Sequence, residues 1–332
     1  MRVAVVGATG YAGMTLLRWL ARHPVMKLAA AVSGHAGGEP LDEYLIPSPG
    51  LPDRLVDYET FATMDPPDVV FAALSTGEGM EWFRRWLEAG VRVIDLGASF
   101  RFAEADRFAQ YYGPHPAPEL LAYGFSGYAD DPAMTYPERG ILGNPGCYPT
   151  AFALAVLPLV RAWGPIAYLV ADGKSGVTGA GRRPRVNLLM GEMAENFEPY
   201  SEPGRHRHTP EMEGVSGGVV LFQPHLVPMA QGLSMTIYWP DCPHRPEAVV
   251  EVWRAFYRDN PFVFISSRKP RTQAVRETNQ VWLAAARDDA RRTLVLYSAI
   301  DNLVKGAAGH AIQHANRWLG LPAATGLLPR EL

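Results

Sequence analysis

A chain of 332 residues is long enough for two hydrophobic cores. Its 48% hydrophobic and 20% charged residues are ordinary for a soluble globular protein, and a formal charge of −3 offers no basic footprint for nucleic acid. No membrane partner is expected, because the longest apolar stretch, Ala151 to Val160, contains Pro158 and stops at Arg161, short of a spanning helix.

Met1 and Arg2 lead directly into Val3-Ala4-Val5-Val6-Gly7, which reads as a buried strand entering a glycine turn and not as a signal peptide. A helix follows from Tyr11 to Arg22, with Leu16, Leu17 and Leu20 on its inner face. Leu28 to Val32, Asp68 to Leu74 and Val91 to Leu96 are further strands. A Ser75-Thr76-Gly77 turn and a helix from Met80 to Ala89 lie between the last two. Continuously apolar strands alternating with helices predict an α/β fold: an N-terminal Rossmann-like parallel sheet covered on both faces. This first domain is expected over 1–146.

After Cys147 the pattern changes. Thr150 to Ala162 reads as a helix and Ile166 to Ala171 as a strand, leading to the glycine-rich Lys174 to Arg182. Strands are then expected at Gly218 to Pro224, Gly232 to Trp239, Gln280 to Ala286 and Thr293 to Ala299. Long strands with few helices between them predict an α+β catalytic and oligomerisation domain over 147–304, built on a mixed or antiparallel sheet. Lys305 to Leu319 reads as a closing helix.

Gly7-Ala8-Thr9-Gly10-Tyr11-Ala12-Gly13 stands between the first strand and the first helix. Glycines there allow a tight turn and close approach of a pyrophosphate, which the helix N-terminus attracts. Gly7, Thr9, Gly10, Tyr11, Ala12 and Gly13 are therefore candidate dinucleotide-binding residues, although the spacing is G-x-x-G-x-x-G and not the commoner G-x-G-x-x-G. At the end of the second strand stands Val32-Ser33-Gly34-His35, with no carboxylate to accept from a ribose 2′-OH. Ser33 and the Gly34 N–H could donate to a 2′-phosphate, which favours NADP (as NADPH) over NAD. The alternative is that Ser33 caps a turn.

Only two cysteines occur, far apart, which suggests no disulfide framework and a cytoplasmic, reducing setting. Cys147 lies in Gly143-Asn144-Pro145-Gly146-Cys147-Tyr148-Pro149-Thr150, at the start of a helix whose N–H groups would favour a thiolate and hold an oxyanion. A small buried hydrophobe is the competing reading. Cys242, between Asp241 and Pro243, fits an inert turn. Arg205-His206-Arg207-His208-Thr209-Pro210-Glu211 gathers two histidines. In an extended segment His206 and His208 would point the same way, one as acid/base towards Cys147 and the other orienting it or binding substrate. A solvated polar loop is the plain alternative, and an H-x-H metal site also competes, but no third ligand stands at a suitable spacing, so no metal is expected.

Together these motifs resemble the N-acetyl-γ-glutamyl-phosphate reductases of the aspartate-semialdehyde-dehydrogenase-like group. The resemblance covers nearly the whole chain. Besides the glycine turn, cysteine turn and histidine segment, it rests on Asp95-Leu96-Gly97-Ala98-Ser99-Phe100-Arg101, Lys174 to Arg182, and Ala299-Ile300-Asp301-Asn302-Leu303-Val304-Lys305-Gly306-Ala307-Ala308-Gly309. It implies Cys147 as nucleophile and His206 or His208 as acid/base, with His206 closer to the family's pattern. It implies Arg101 and Arg182 on the carboxylate and phosphate of a small acyl-phosphate substrate, Asn302 on the nicotinamide side, and Ser75 along the cofactor. It also implies that a C-terminal segment of about 305–332 returns to the first domain, and a homo-oligomer, tetramer or dimer.

The reaction implied is NADPH-dependent reduction of N-acetyl-γ-glutamyl phosphate to the semialdehyde in arginine biosynthesis. Gly146-Cys147-Tyr148-Pro149 disfavours the lysine-branch enzymes acting on aminoadipyl phosphate, which carry Gly-Cys-Asn-Ala. A non-catalytic NADP-binding redox sensor would explain the glycine turn and the cysteine but not the histidines or arginines. One departure is Tyr123-Gly124-Phe125-Ser126-Gly127-Tyr128, where the family has Tyr-Gly-Leu-Pro-Glu.

Overall fold

The computed structural model describes residues 1–328. Residues 329–332 of the expected C-terminal segment lie outside them. The chain divides into two compact units, Met1–Pro145 with Ala307–Leu332, and Gly146–Gly306.

The first unit holds strands β1 (Arg2–Val6), β2 (Lys27–Val32), β3 (Val69–Ala72), β4 (Arg92–Asp95), β5 (Gly124–Ser126) and β6 (Ile141–Gly143). All pair in parallel in the order β2-β1-β3-β4-β6-β5. Its helices are α1 (Tyr11–Ala21), α2 (Tyr58–Ala62), α3 (Met80–Glu88) and α4 (Ala105–Tyr112). β1 and β3 are buried almost throughout, as strands covered on both faces must be. Phe83 and Trp86 of α3 pack on the sheet with Val70, Val93 and Phe100. In such sheets ligands bind beyond the carboxyl ends of the strands where the order reverses. Here the order runs to β2 on one side of β1 and to β3 on the other, so the turns after β1 and β3 flank that point.

The second unit opens with α5 (Cys147–Trp163), followed by β7 (Tyr168–Gly176), α6 (Met190–Met193), β8 (Glu198–Pro199) and α7 (Thr209–Ser216). Then come β9 (Val219–Val227), β10 (Leu233–Trp239), α8 (Pro246–Phe256), β11 (Val263–Ile265), α9 (Thr272–Val275), β12 (Val281–Asp288) and β13 (Thr293–Ile300). The seven strands form one mixed sheet, β11-β12-β13-β10-β7-β9-β8. β10 is antiparallel to both β7 and β13, whereas β7 and β9 run parallel. One face buries Leu169, Ala171, Phe222, Met235, Ile237 and Leu296 against α5 and its neighbours.

α5 is apolar on nearly every side, since Ala151, Phe152, Leu154, Ala155, Val156 and Leu159 are all buried. Pro158 lies inside it and has no N–H for the carbonyl four residues back, that of Leu154. The hydroxyl of Tyr257 donates to that carbonyl at 2.8 Å, and the Trp253 indole N–H donates to Ala155 O at 2.8 Å. The proline is tolerated because α8 and the residue after it supply donors from outside the helix.

The last stretch is not one regular helix. Val304–Ala308 is a π-turn, with Gly306 N donating to Asp301 O at 2.8 Å, and α10 (Gly309–Trp318) continues from it. α10 is tied to the first unit by the His23–Asn316 bond at 3.1 Å and by Arg317, which donates to Ala129 O at 2.7 Å. Among the described residues no helix is long and apolar enough to cross a membrane.

Candidate active site

In the first unit the glycine turn has the geometry expected of an anion-binding helix start. Gly7 has φ +78°, and a Cβ there would stand 2.3 Å from Ala73 O. A Cβ on Gly13 would stand 2.2 Å from Gly7 O, so this glycine lets α1 press on the turn. Gly10 caps α1 with no side-chain bond to the first-turn N–H groups, and its Cβ would meet nothing closer than 3.5 Å. Thr9 is buried, Tyr11 and Ala12 open α1 half-buried, and Ser75 is exposed beyond the end of β3, its N–H donating to Glu78 Oε2 at 3.2 Å. Ser33 Oγ is buried without a hydrogen-bond partner. Uncapped helix N–H groups, a bare approach at Gly10 and this orphaned hydroxyl fit a phosphorylated dinucleotide.

Beyond β4, Asp95 accepts from Gly97 N at 2.8 Å and Ser99 N at 3.1 Å, which folds the loop that carries Arg101. Burial pushes its carboxyl up to about 6 against the pull of those bonds and of Arg101. Arg101 is half-buried and donates from Nε to Asn144 O at 2.9 Å and from Nη2 to Leu96 O at 3.4 Å. In the divergent loop, Ser126 Oγ donates to Gly143 O at 2.7 Å.

In the second unit the helix begins at Cys147 itself, three residues earlier than the apolar run suggests, with Gly146 as N-cap. Thr150 returns both its N–H and its hydroxyl to Gly146 O, each at 2.9 Å. The Gly146 N–H donates to Glu211 Oε2 at 3.1 Å, so a carboxylate from the first turn of α7 fixes the residue before the cysteine. Two glycines make room around it. A Cβ on Gly146 would lie 2.3 Å from His208 Nε2, and one on Gly306 would lie 2.6 Å from Cys147 Cβ.

The histidine segment is not extended. Residues 203–208 form turns and a bend into α7, with His208 at its N-cap in helical conformation. The two rings meet through the turn, not through strand alternation: His208 N donates to His206 Nδ1 at 3.1 Å, and the rings lie 4.9 Å apart. This bond makes Nε2 the protonated nitrogen of neutral His206. Tyr148, Tyr200 and Phe222 surround that ring edge-on at 5.8, 5.7 and 5.1 Å. Burial, helped by Arg207, lowers the His206 pKa to about 4, so it is neutral at neutral pH.

Arg182 is exposed, just after the turn Val177–Ala180. The Asn302 amide is committed within this unit: Oδ1 accepts from Gly232 N at 2.7 Å and Nδ2 donates to Thr178 Oγ1 at 3.0 Å. Asp301 accepts from Gln231, Glu277 N, Leu303 N and Val304 N, and so builds the π-turn that presents Gly306. Among the described residues no cluster of three metal-ligating side chains exists. Glu211, Gly306 and Tyr200 are the residues whose part sequence reasoning missed. A Pro-Glu pair at a helix start reads as ordinary capping, and the other two carry no local signal.

Two family models match this chain: "Semialdehyde dehydrogenase, NAD binding domain" over residues 2–155 and "Semialdehyde dehydrogenase, dimerisation domain" over 147–302. The N-acetyl-gamma-glutamyl-phosphate reductase of Halorhodospira halophila is 41% identical over 98% of both chains. This chain belongs to the N-acetyl-γ-glutamyl-phosphate reductase family. The enzyme of the same name from Aromatoleum aromaticum is 40% identical, again over 98% of both chains. Among solved structures, aspartate semialdehyde dehydrogenase II from Vibrio cholerae, complexed with ASA, superposes with a TM-score of 0.72 at 19% identity, over 96% of this chain and 98% of that one. Aspartate semialdehyde dehydrogenase from Candida albicans, with NADP, gives 0.70 at 17%, over 96% and 99%. These two show that the reductase shares their fold.

Proposed function

We propose that the chain reduces N-acetyl-γ-glutamyl phosphate with NADPH, giving N-acetylglutamate 5-semialdehyde and phosphate through a thioester on Cys147, as a step of arginine biosynthesis. The observation that carries this reading is Cys147 at the first position of α5, its cap held by Glu211 and overlain by His208, in a chain that matches a reductase of that name end to end. The lysine-branch substrate and the redox sensor are set aside, because relatives at this identity carry the glutamyl reductase name.

Sγ attacks the acyl carbon, and the C–O bond to phosphate breaks, with the thiol proton leaving on the phosphate. The helix N-terminus favours negative charge on Sγ. A thioester accepts hydride where a carboxylate does not, and NADPH, when bound, supplies that hydride. Gly7, Thr9, Gly10, Tyr11, Ala12, Gly13, Ser33 and Ser75 are the residues we assign to hold it. Collapse of the tetrahedral alkoxide releases the aldehyde and returns the thiolate, which takes up a proton. His206, pinned through Nδ1 and neutral, presents Nε2–H to the oxygen that becomes negative in both steps. His208 packs on Gly146 and holds the cysteine turn. Arg101 and Arg182 take the substrate's carboxylate and phosphate, groups that a guanidinium binds in pairs of hydrogen bonds. Asn302 acts by holding the Thr178 turn.

We also infer a homo-oligomer, a dimer or tetramer, from the outer face of the second sheet. There Tyr168 pairs with Val219, Leu221 and Tyr238 are exposed beside them, and Phe264 is exposed on the edge strand β11. A cytoplasmic setting agrees with two cysteines that form no disulfide.

Cys147→Ser tests the central assignment. Turnover, followed in reverse as nicotinamide absorbance from the semialdehyde, phosphate and NADP, is expected to vanish, with NADPH binding kept within a few-fold. Retained turnover, or lost NADPH binding, would overturn it.

A further inference from the structure

The loops that follow β3 and β4 are fastened to one another. After β3, Leu74 to Gly79 turns on two left-handed glycines, Gly77 at φ +78° plus 5°, that is +83°, and Gly79 at +72°. Glu78 closes that turn, its N–H donating to Ser75 O at 3.0 Å and its Oε2 accepting from Ser75 N at 3.2 Å. The Gly77 N–H instead donates to Oγ of Ser99, in the loop after β4, at 3.0 Å. Gly97 of that loop also lies against the first, since a Cβ on it would stand 3.1 Å from Leu74 O. Ser99 is 1% exposed and held on both sides. Its N–H donates to Asp95 Oδ2 at 3.1 Å, and its carbonyl accepts from His115 Nε2 at 3.0 Å. Ala117 N donates to Nδ1 of the same imidazole at 3.1 Å, so the proton of the neutral ring is on Nε2.

We propose that Ser99 is a positioning residue that couples the two ligands: a carboxylate on Arg101 and a cofactor along Ser75 tighten one another through the bond from the Gly77 N–H to the Ser99 hydroxyl. This coupling deepens the reading of Arg101 as a substrate ligand and of Ser75 as a cofactor contact, and rests on both. Arg101 follows Ser99 by two residues and is tied back into the same loop, with Nε donating to Asn144 O at 2.9 Å and Nη2 to Leu96 O at 3.4 Å. The Asp95 carboxylate gathers the Gly97 and Ser99 N–H groups above it. A ligand that settles the guanidinium therefore settles residues 97–101, and with them the acceptor that holds Gly77. Once one ligand has ordered the pair of loops, the other binds without that cost, which is positive coupling with no large movement. One ordinary hydrogen bond sets its scale, roughly three- to tenfold in affinity.

Calorimetric titration of the full chain with NADPH and with N-acetylglutamate, an unreactive carboxylate that shares the substrate's acyl chain, reads the coupling without turnover. In the wild type each ligand should tighten the other by the same factor, roughly three- to tenfold, as linkage requires. In Ser99→Ala that factor should fall below about twofold, while each ligand alone binds within about threefold of the wild type. Ser99→Cys, close in size but a weak acceptor, should show an intermediate factor and carries the same test if the alanine variant does not fold. An undiminished factor in these variants, even with a lowered unfolding midpoint, would make Ser99 structural only and overturn the proposal, as would a wild type that binds both ligands without coupling. N-acetylglutamate that binds Arg101→Ala as tightly as the wild type would instead overturn the assignment of Arg101 to the substrate.

Discussion

The two helix starts to which we assign cofactor and nucleophile, at α1 and α5, look alike in sequence and are built differently. Each is capped by a glycine that offers no side-chain bond to the first-turn N–H groups. At α1 the turn is completed by backbone groups of the sheet and of the turn itself. Gly7 and Ala8 donate to Val32 O, Gly10 N returns to Gly7 O, and Gly13 packs on the backbone of Gly7. At α5 the cap is completed by chain far away in sequence: Glu211 on the Gly146 N–H, His208 over Gly146, and Gly306 under Cys147. A site for a bound phosphate needs only exposed backbone donors, which a local turn can present. A nucleophile must in addition be aimed, and that takes fixed groups on several sides.

Breaking this comparison is direct. Gly146→Ala forces a Cβ into the His208 ring, and Gly306→Ala forces one into Cys147. Either should cost about a hundredfold in kcat, the scale of a misplaced reacting group, with NADPH binding nearly kept. Gly13→Ala should do the reverse, removing NADPH binding while Cys147 is alkylated by iodoacetamide at the wild-type rate. Crossed outcomes would show that the two starts are not separable.

A smaller effect is expected from Glu211→Gln, which keeps the shape but weakens the acceptor for the Gly146 N–H. We expect roughly a tenfold fall in kcat with KM for NADPH unchanged, the size of a charge-assisted bond made neutral. Steady-state kinetics with varied NADPH would read it, and a change confined to KM would point away from the cysteine turn. The smallest effect concerns how α5 is held. Tyr257→Phe leaves the Leu154 carbonyl without that donor and should lower stability by about 1–3 kcal/mol in urea unfolding. An unchanged midpoint would mean the Pro158 gap is met otherwise.

Much of the first unit was legible because its cause is local. A strand buried on both faces must be continuously apolar, and a tight turn next to a phosphate must be glycine, so Val3–Val6 and Gly7–Gly13 announce themselves. The mixed sheet of the second unit also showed in its long strands. The short elements α2, α4, β5 and β11 did not, because few residues give little periodicity. The histidine pair was readable as a pair but not in shape: alternation predicts an extended segment, whereas a turn closed by the His208 N to His206 Nδ1 bond brings the rings together. Ser126 shows the same limit. Its hydroxyl on Gly143 O occupies a loop where the resemblance expects a carboxylate nearby, and only the fold reveals that bond.

By itself the sequence determined which residue types our proposed chemistry draws on: a glycine turn for phosphates, one cysteine at a helix start, two histidines, and arginines for anions. Those follow from composition, spacing and resemblance, which act over a few residues at a time. The tertiary structure alone decided their surroundings. It set the His206 pKa near 4 by burial among three aromatic rings, it placed Glu211 on the Gly146 N–H, and it required glycine at 306 because Cys147 lies 2.6 Å from where a Cβ would be. Desolvation and steric exclusion depend on every atom packed around a group, and those atoms come from segments that only folding brings together.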